Sequence, residues 1–167
     1  MTIEISRERY TVQVLGRMFQ YVGEMEPIGQ VVDYFNDENR SIFSLYDVDV
    51  YPLDAGSRLT PFKRPVITVS DNELGAIYFL DPEYRKKVQL LRNSDQVIAY
   101  TPRAVLRGKF HRGVETRLGD LFDMMGGDFL AMTDVSVFPL IDLPGAFPKQ
   151  ADLLIINRFY VSVYHEG

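Results

Sequence analysis

Residues 43–53 read FSLYDVDVYPL and residues 130–140 read LAMTDVSVFPL, so Asp47, Val48, Val50, Pro52 and Leu53 recur as Asp134, Val135, Val137, Pro139 and Leu140. A repeat of this kind constrains the fold more than any single motif, because each copy must build the same framework. Other blocks match in the same order. Upstream, residues 27–36 (PIGQVVDYFN) lie over 117–126 (RLGDLFDMMG), and Val14, Leu15 and Phe19 lie over Val105, Leu106 and Phe110. Downstream, connections over 54–64 and 141–151 each lead to two apolar runs, the second ending at Tyr78 or Tyr164. The chain therefore divides into a first β-rich repeat over 1–80, a polar linker over 81–87 (DPEYRKK) and a second repeat over 88–167.

Periodicity gives the blocks their shapes. Ile28, Val31, Val32 and Phe35 stand at i, i+3, i+4 and i+7, and Leu118, Leu121, Phe122 and Met125 repeat that spacing, which predicts one short amphipathic helix per copy. Pro27 suits the first helical position, Thr116 an N-cap, and Gly126-Gly127 a stop. The Asp-Val-x-Val blocks alternate with period two and predict strands that Pro52 and Pro139 end, since proline cannot donate to a ladder. Each copy reads as strand, helix, strand, strand, strand. A hairpin turning at Asn93-Ser94-Asp95 leads into the second copy. The class is mainly β, as two tandem small barrel-like units of the SH3 or Sm type about a pseudo-twofold axis, with a β-sandwich as the alternative.

An apolar fraction of 46% is enough for a packed core, and 11 Phe and 10 Tyr supply the aromatic bulk that strands favour. With no cysteine, disulfides, thiol nucleophiles and cysteine-based metal sites are excluded. The opening residues have neither the basic nor the apolar stretch of a signal peptide, so a cytoplasmic location without membrane contact is expected. Net charge is −5, but residues 1–83 hold 7 basic and 14 acidic side chains and residues 84–167 hold 11 and 9. The halves thus carry −7 and +2 and attract each other, within one chain or between chains.

In the second copy, Gly108-Lys109-Phe110-His111, then Thr116-Arg117-Leu118-Gly119-Asp120, then Phe129-Leu130-Ala131-Met132-Thr133-Asp134-Val135 resemble a family of bacterial domains of unknown function. That family carries a glycine-started strand, an RLSD-like helix start and an FLPLTDV-like strand. Gly119 stands here for the Ser, and Ala131-Met132 for Pro-Leu; in the first copy Ser44-Leu45-Tyr46-Asp47-Val48 keeps part of the pattern. The resemblance implies a shape and transfers no catalytic residue.

Catalytic and metal-binding patterns are missing from the sequence, so no cofactor is expected. The two histidines, His111 and His165, have no ligand-spaced neighbours, and there is no P-loop, GxGxxG, GxSxG or HExxH. The duplicated aspartates Asp47/Asp134 and Asp33/Asp123 read first as local structural groups; facing one another, such a pair would share a proton or hold a metal. A sharper feature is the strand 103–111. Arg103, Arg107, Lys109 and His111 share one face and Ala104, Leu106, Gly108 and Phe110 the other, whereas the first copy offers Val12, Gly16, Met18 and Gln20 instead. The two connections carry an aromatic beside a cation, Phe62-Lys63-Arg64 and Phe147-Pro148-Lys149, each a recognition loop or a core plug.

These features favour a non-catalytic intracellular interaction module that self-associates or binds a protein. The alternatives are a small-molecule or anion binder using the groove between the copies, and, least favoured in an acidic chain, an Sm-like nucleic-acid binder.

Overall fold

A computed structural model describes residues 7–112 and 127–167. Ten strands form it: β1 (Tyr10–Gly16), β2 (Phe19–Met25), β3 (Ile42–Pro52), β4 (Phe62–Ser70), β5 (Leu74–Phe79), β6 (Asn93–Tyr100), β7 (Ala104–Arg112), β8 (Phe129–Pro139), β9 (Gln150–Asn157) and β10 (Val163–Glu166). Two short helices, α1 (Val31–Phe35) and α2 (Pro82–Lys86), and a 3₁₀ turn over Arg158–Tyr160 complete the described elements. The class is mainly β, and all strands lie in one open antiparallel sheet with the order β10-β6-β7-β8-β9-β5-β1-β2-β3-β4. Each half follows one order, with its fifth strand beside its first and its fourth at the far side. The halves join where β9 pairs β5, a fourth strand on a fifth. A twofold axis would pair like with like, so the relation is head to tail.

The duplicated aspartates share one backbone feature. Asp47 (φ 45°) and Asp134 (φ 50°) are the two non-glycine residues with positive φ among the described residues, and Asp tolerates that region better than most side chains. Register shifts occur between Val22 and Glu24 in the β2–β3 ladder and between Arg107 and Lys109 in β7–β8. Each is a β-bulge, in which the extra residue bends and twists an otherwise long strand. Opposite the bulges stand Gly23 and Gly108. A Cβ on Gly23 would lie 2.9 Å from Tyr46 O, and one on Gly108 2.8 Å from Thr133 O, so neither position has room for a side chain. Asp47 and Asp134 are exposed and pair within their own halves, with Arg9 at 3.7 Å and Lys109 at 3.3 Å. Asp33 is also exposed, Asp123 falls outside the described residues, and no cluster able to hold a metal occurs among the described residues.

Two apolar clusters share one wall. Val14, Met25, Phe35, Phe43 and Phe79 centre the first; Leu106, Phe110, Met132 and Tyr160 centre the second. Side chains alternate faces along a strand, and β9 sends Leu153 and Ile155 into the first cluster and Leu154 and Ile156 into the second. Leu15, Leu53 and Ala76 of the first half likewise enter the second cluster, and Phe129 enters the first.

Several sequence expectations shift. The helix expected from Pro27 begins at Val31, because Gly29 takes φ 72° and Gln30 is extended; Ile28 is left exposed, and Val31, Tyr34 and Phe35 are buried. Its counterpart over 117–126, with Thr116 and Gly126, lies outside the described residues. The linker over 81–87 contains a helix, whose start Asp81 caps by accepting from Glu83 N at 3.0 Å, with Pro82 in the first turn. Tyr84 of that helix is buried and stacks on Tyr10 at 4.0 Å. Residues 93–100 are one strand with no turn at Asn93-Ser94-Asp95, and each half has a second strand ahead of its third. Pro52 and Pro139 do end their strands.

The bulges make a direct prediction. Gly23→Ala and Gly108→Ala should each destabilise the fold by roughly 1–3 kcal/mol through overpacking against backbone. Asp134→Gly, which relieves positive φ, should change stability by less than about 1 kcal/mol. Denaturant titration of the three variants measures this, and equal effects would remove the bulge argument.

Candidate interaction surfaces

The β7 ladder places the basic strand opposite β2 of the first half, not β1. Gly108 aligns with Gly23, so Met18, Val22, Glu24 and Glu26 are the counterparts of Arg103, Arg107, Lys109 and His111, which corrects the sequence alignment. Alternation along β7 is as expected, with Ala104, Leu106, Gly108 and Phe110 buried. The cations on its other face, however, are mostly engaged. Arg103, in the turn before β7, donates to Arg17 O at 2.7 Å and Asp54 Oδ1 at 2.9 Å, tying the two halves together. Lys109 pairs with Asp134, and the His111 ring lies 2.7 Å from Thr133 Oγ1 and 3.1 Å from Leu91 O. Arg107 alone of the four is plainly exposed. A face whose charges are already paired has little field left for a polyanion.

The aromatic–cation pairs also separate. Phe62, Lys63 and Arg64 start β4 rather than lying in a loop, and Phe62 packs on the first cluster with the Arg64 guanidinium 5.2 Å from its ring. Phe147 lies in the loop before β9 and packs on the second cluster, while Lys149 is exposed. Both rings serve as plugs; Lys63, Arg64 and Lys149 face solvent.

Sequence reasoning missed the joint between the halves, which side-chain amides close. Gln20, fully buried, donates from Nε2 to Gly145 O at 2.8 Å and accepts at Oε1 from Gly145 N at 3.0 Å. Asn36 does the same to Phe129, donating to its O at 2.9 Å and accepting from its N at 2.7 Å. Asn157 Nδ2 donates to Asp71 O at 3.1 Å and Leu74 O at 3.0 Å. Each amide serves as a strand edge would, satisfying backbone that the ladder leaves unpaired. Among the same elements, Glu73 accepts from Met18 N and Phe19 N, both at 3.0 Å, and from Tyr21 Oη at 3.2 Å.

Two other surfaces remain. Among the described residues, β4 and β10 end the sheet, each with a neighbour on one side only. Of the exposed apolar side chains, Val66 and Val163 lie on these strands, Ile42 and Tyr100 on their neighbours β3 and β6, and Phe138 and Leu140 at and just past the end of β8. Separately, a groove of about 630 Å³ lies between the halves, lined by Val31, Val32, Asn36, Leu91, His111 and Phe129 among others. Its lining mixes apolar side chains with Gln30, Asp33, Asn36, Gln89 and His111, and holds no Lys or Arg among the described residues. No helix among the described residues is long and apolar enough to cross a membrane.

No family model, curated protein or solved structure matches the chain.

Buried phenols give the interior a pH signature. Burial, then the Glu73 carboxylate, pushes the Tyr21 hydroxyl far above its ordinary value, and burial does the same at Tyr84 and Tyr160. In the unfolded chain these groups ionise near pH ~10, whereas the folded state retains their protons. Stability is therefore fully present below that pH and falls above it, by about 1.4 kcal/mol per pH unit for each such tyrosine. In an alkaline titration, exposed tyrosines should ionise first and these three only as the far-ultraviolet dichroism is lost. Full phenolate absorbance in a still-folded chain would contradict this.

Proposed function

We propose that this chain is a non-catalytic interaction module whose partner is a protein, in the first instance another copy of itself. The observation that carries the reading is the pair of unpaired sheet edges flanked by exposed apolar side chains. Unpaired N–H and C=O groups beside apolar surface form a template for another strand. Each half is read as one small unit of the SH3 or Sm type; the shared strand order supports this. The nucleic-acid reading loses its support with the pairing of Arg103 and Lys109.

Light scattering across protein and salt concentration tests the reading. A mass above 19.2 kDa that rises with concentration is expected, and a monomer under every condition would remove self-association.

The groove favours a second reading, a small ligand with an apolar body and a few polar groups, held between the halves. Pockets of this volume with a few convergent polar groups suit such molecules. A ligand bound only by the folded state raises its melting temperature by mass action. A thermal-shift screen with small amphipathic compounds should then yield stabilisers whose effect Ala131→Trp removes, and hits indifferent to that change would exclude the groove.

A further inference from the structure

Within one chain, the contact between halves covers specific side chains, and the equivalents of those side chains on the outer ends are bare. The equivalence follows from the ladders. Val66 and Leu153 face Tyr46 and Thr133, the residues just before the two bulge aspartates. Ile77 faces Val14, and Tyr164 faces Ala99; Val14 and Ala99 in turn face Tyr21 and Leu106, each two residues before the bulge glycine. So β4 corresponds to β9, and β5 to β10.

On this basis the burial patterns of β3 and β8 agree at every position except their ends. Phe129 is buried against the first half, and its equivalent Ile42 is exposed; Tyr51 is half-buried, and its equivalent Phe138 is exposed. Leu153 is 6% exposed and Val66 53%. On the other side of the joint Leu53 is 6% exposed and Leu140 58%, and Ala76 is 0% exposed and Val163 57%. Leu15 is buried, and its equivalent Tyr100 is exposed. The bare residues thus form both halves of the contact already made inside the molecule, one half at each end.

We infer that chains associate head to tail, with β4 of one pairing antiparallel with β10 of the next and repeating the β9–β5 contact. The inference rests on the self-association reading and specifies its geometry. It fixes a register: Ala76 opposite Ile156 and Ile77 opposite Ile155 become Val163 opposite Val69 and Tyr164 opposite Thr68. Continued, this places Glu166 opposite Val66 and Gly167 opposite Pro65. Pro65, which has no N–H to donate, then falls beyond the overlap of residues 66–69 with β10. The charges agree, because the contact sets the basic second half of one chain against the acidic first half of the next. Two different edges meet, so the contact is heterologous and leads to a ring or a filament according to its rotation.

The absence of cysteine makes the register testable in the full chain. Val66→Cys and Glu166→Cys chains, tagged differently and mixed under mild oxidation, should form a disulfide-linked heterodimer, since directly opposed strand residues lie within disulfide reach. Val66→Cys mixed with His165→Cys, which points to the opposite face, should link at least about tenfold less. Ile42→Asp and Leu140→Asp, both exposed in the single chain, should keep the melting temperature of the monomer and lower the scattering mass to 19.2 kDa. Association with equal linking of the two cysteine pairs would overturn the head-to-tail register and leave self-association standing. A monomer at all concentrations would overturn both.

Discussion

Two residue pairs, Ala76 with Ile156 and Ile77 with Ile155, are the backbone seam on which the rest of the molecule depends. The seam is short, yet it turns β9 from an edge strand into a wall with a core on each side. Leu153 and Ile155 are buried only because the first half covers them, and Leu154 and Ile156 only because the second half does. Opening the seam would expose both clusters and strand the amide N–H groups of Gln20, Asn36 and Asn157, whose acceptors lie across it. Buried polar groups left unpaired cost about 1–3 kcal/mol each, in addition to the lost apolar burial. The two halves therefore behave as one cooperative unit although each has its own strand order.

Head-to-tail joining also explains the unequal chemistry of equivalent positions. Gln20 reaches across the seam to Gly145, while its counterpart Val105 is an apolar, half-buried residue. Arg103 ties Arg17 O and Asp54 across the joint, and its counterpart Met18 is exposed. What stays equal is the bulge, because it serves each half internally. Asp47 and Asp134, with Gly23 and Gly108 opposite, let an eleven-residue strand bend around its own core.

That division accounts for what could be read in the sequence. The Asp-Val-x-Val blocks and their closing prolines were legible because period-two alternation and a missing N–H act locally. Aspartate at the bulge was visible as a repeated residue but not as a positive-φ residue, since φ leaves no trace in composition. The basic strand was legible as alternation along β7, but its neutralisation was not: Asp134 and Asp54 belong to partners distant in sequence. Aligning β7 with β1 instead of β2 came from apolar matches alone, which slide freely between two half-buried strands; the glycine facing the bulge fixes the register. Asp81-Pro82-Glu83 did carry an N-cap signal, masked by the charge of the residues that follow. The amide-closed joint had no periodic signature at all.

A duplicated unit joined head to tail always has two ends that its own chain cannot satisfy. Twofold joining would consume both copies of one surface, but here a fourth-type edge and a fifth-type edge are each left over. Such ends are either blunted or left able to pair, and β4 shows both characters along its length. Lys63, Arg64 and Pro65 are the charges and the missing donor with which proteins discourage edge pairing. Past Pro65 the strand turns to Val66, Ile67, Thr68 and Val69, β-prone residues with no charge among them. In the proposed head-to-tail association, blunting that stops where the equivalent of the internal seam begins would limit pairing to one register instead of preventing it, since a slipped partner would meet Pro65.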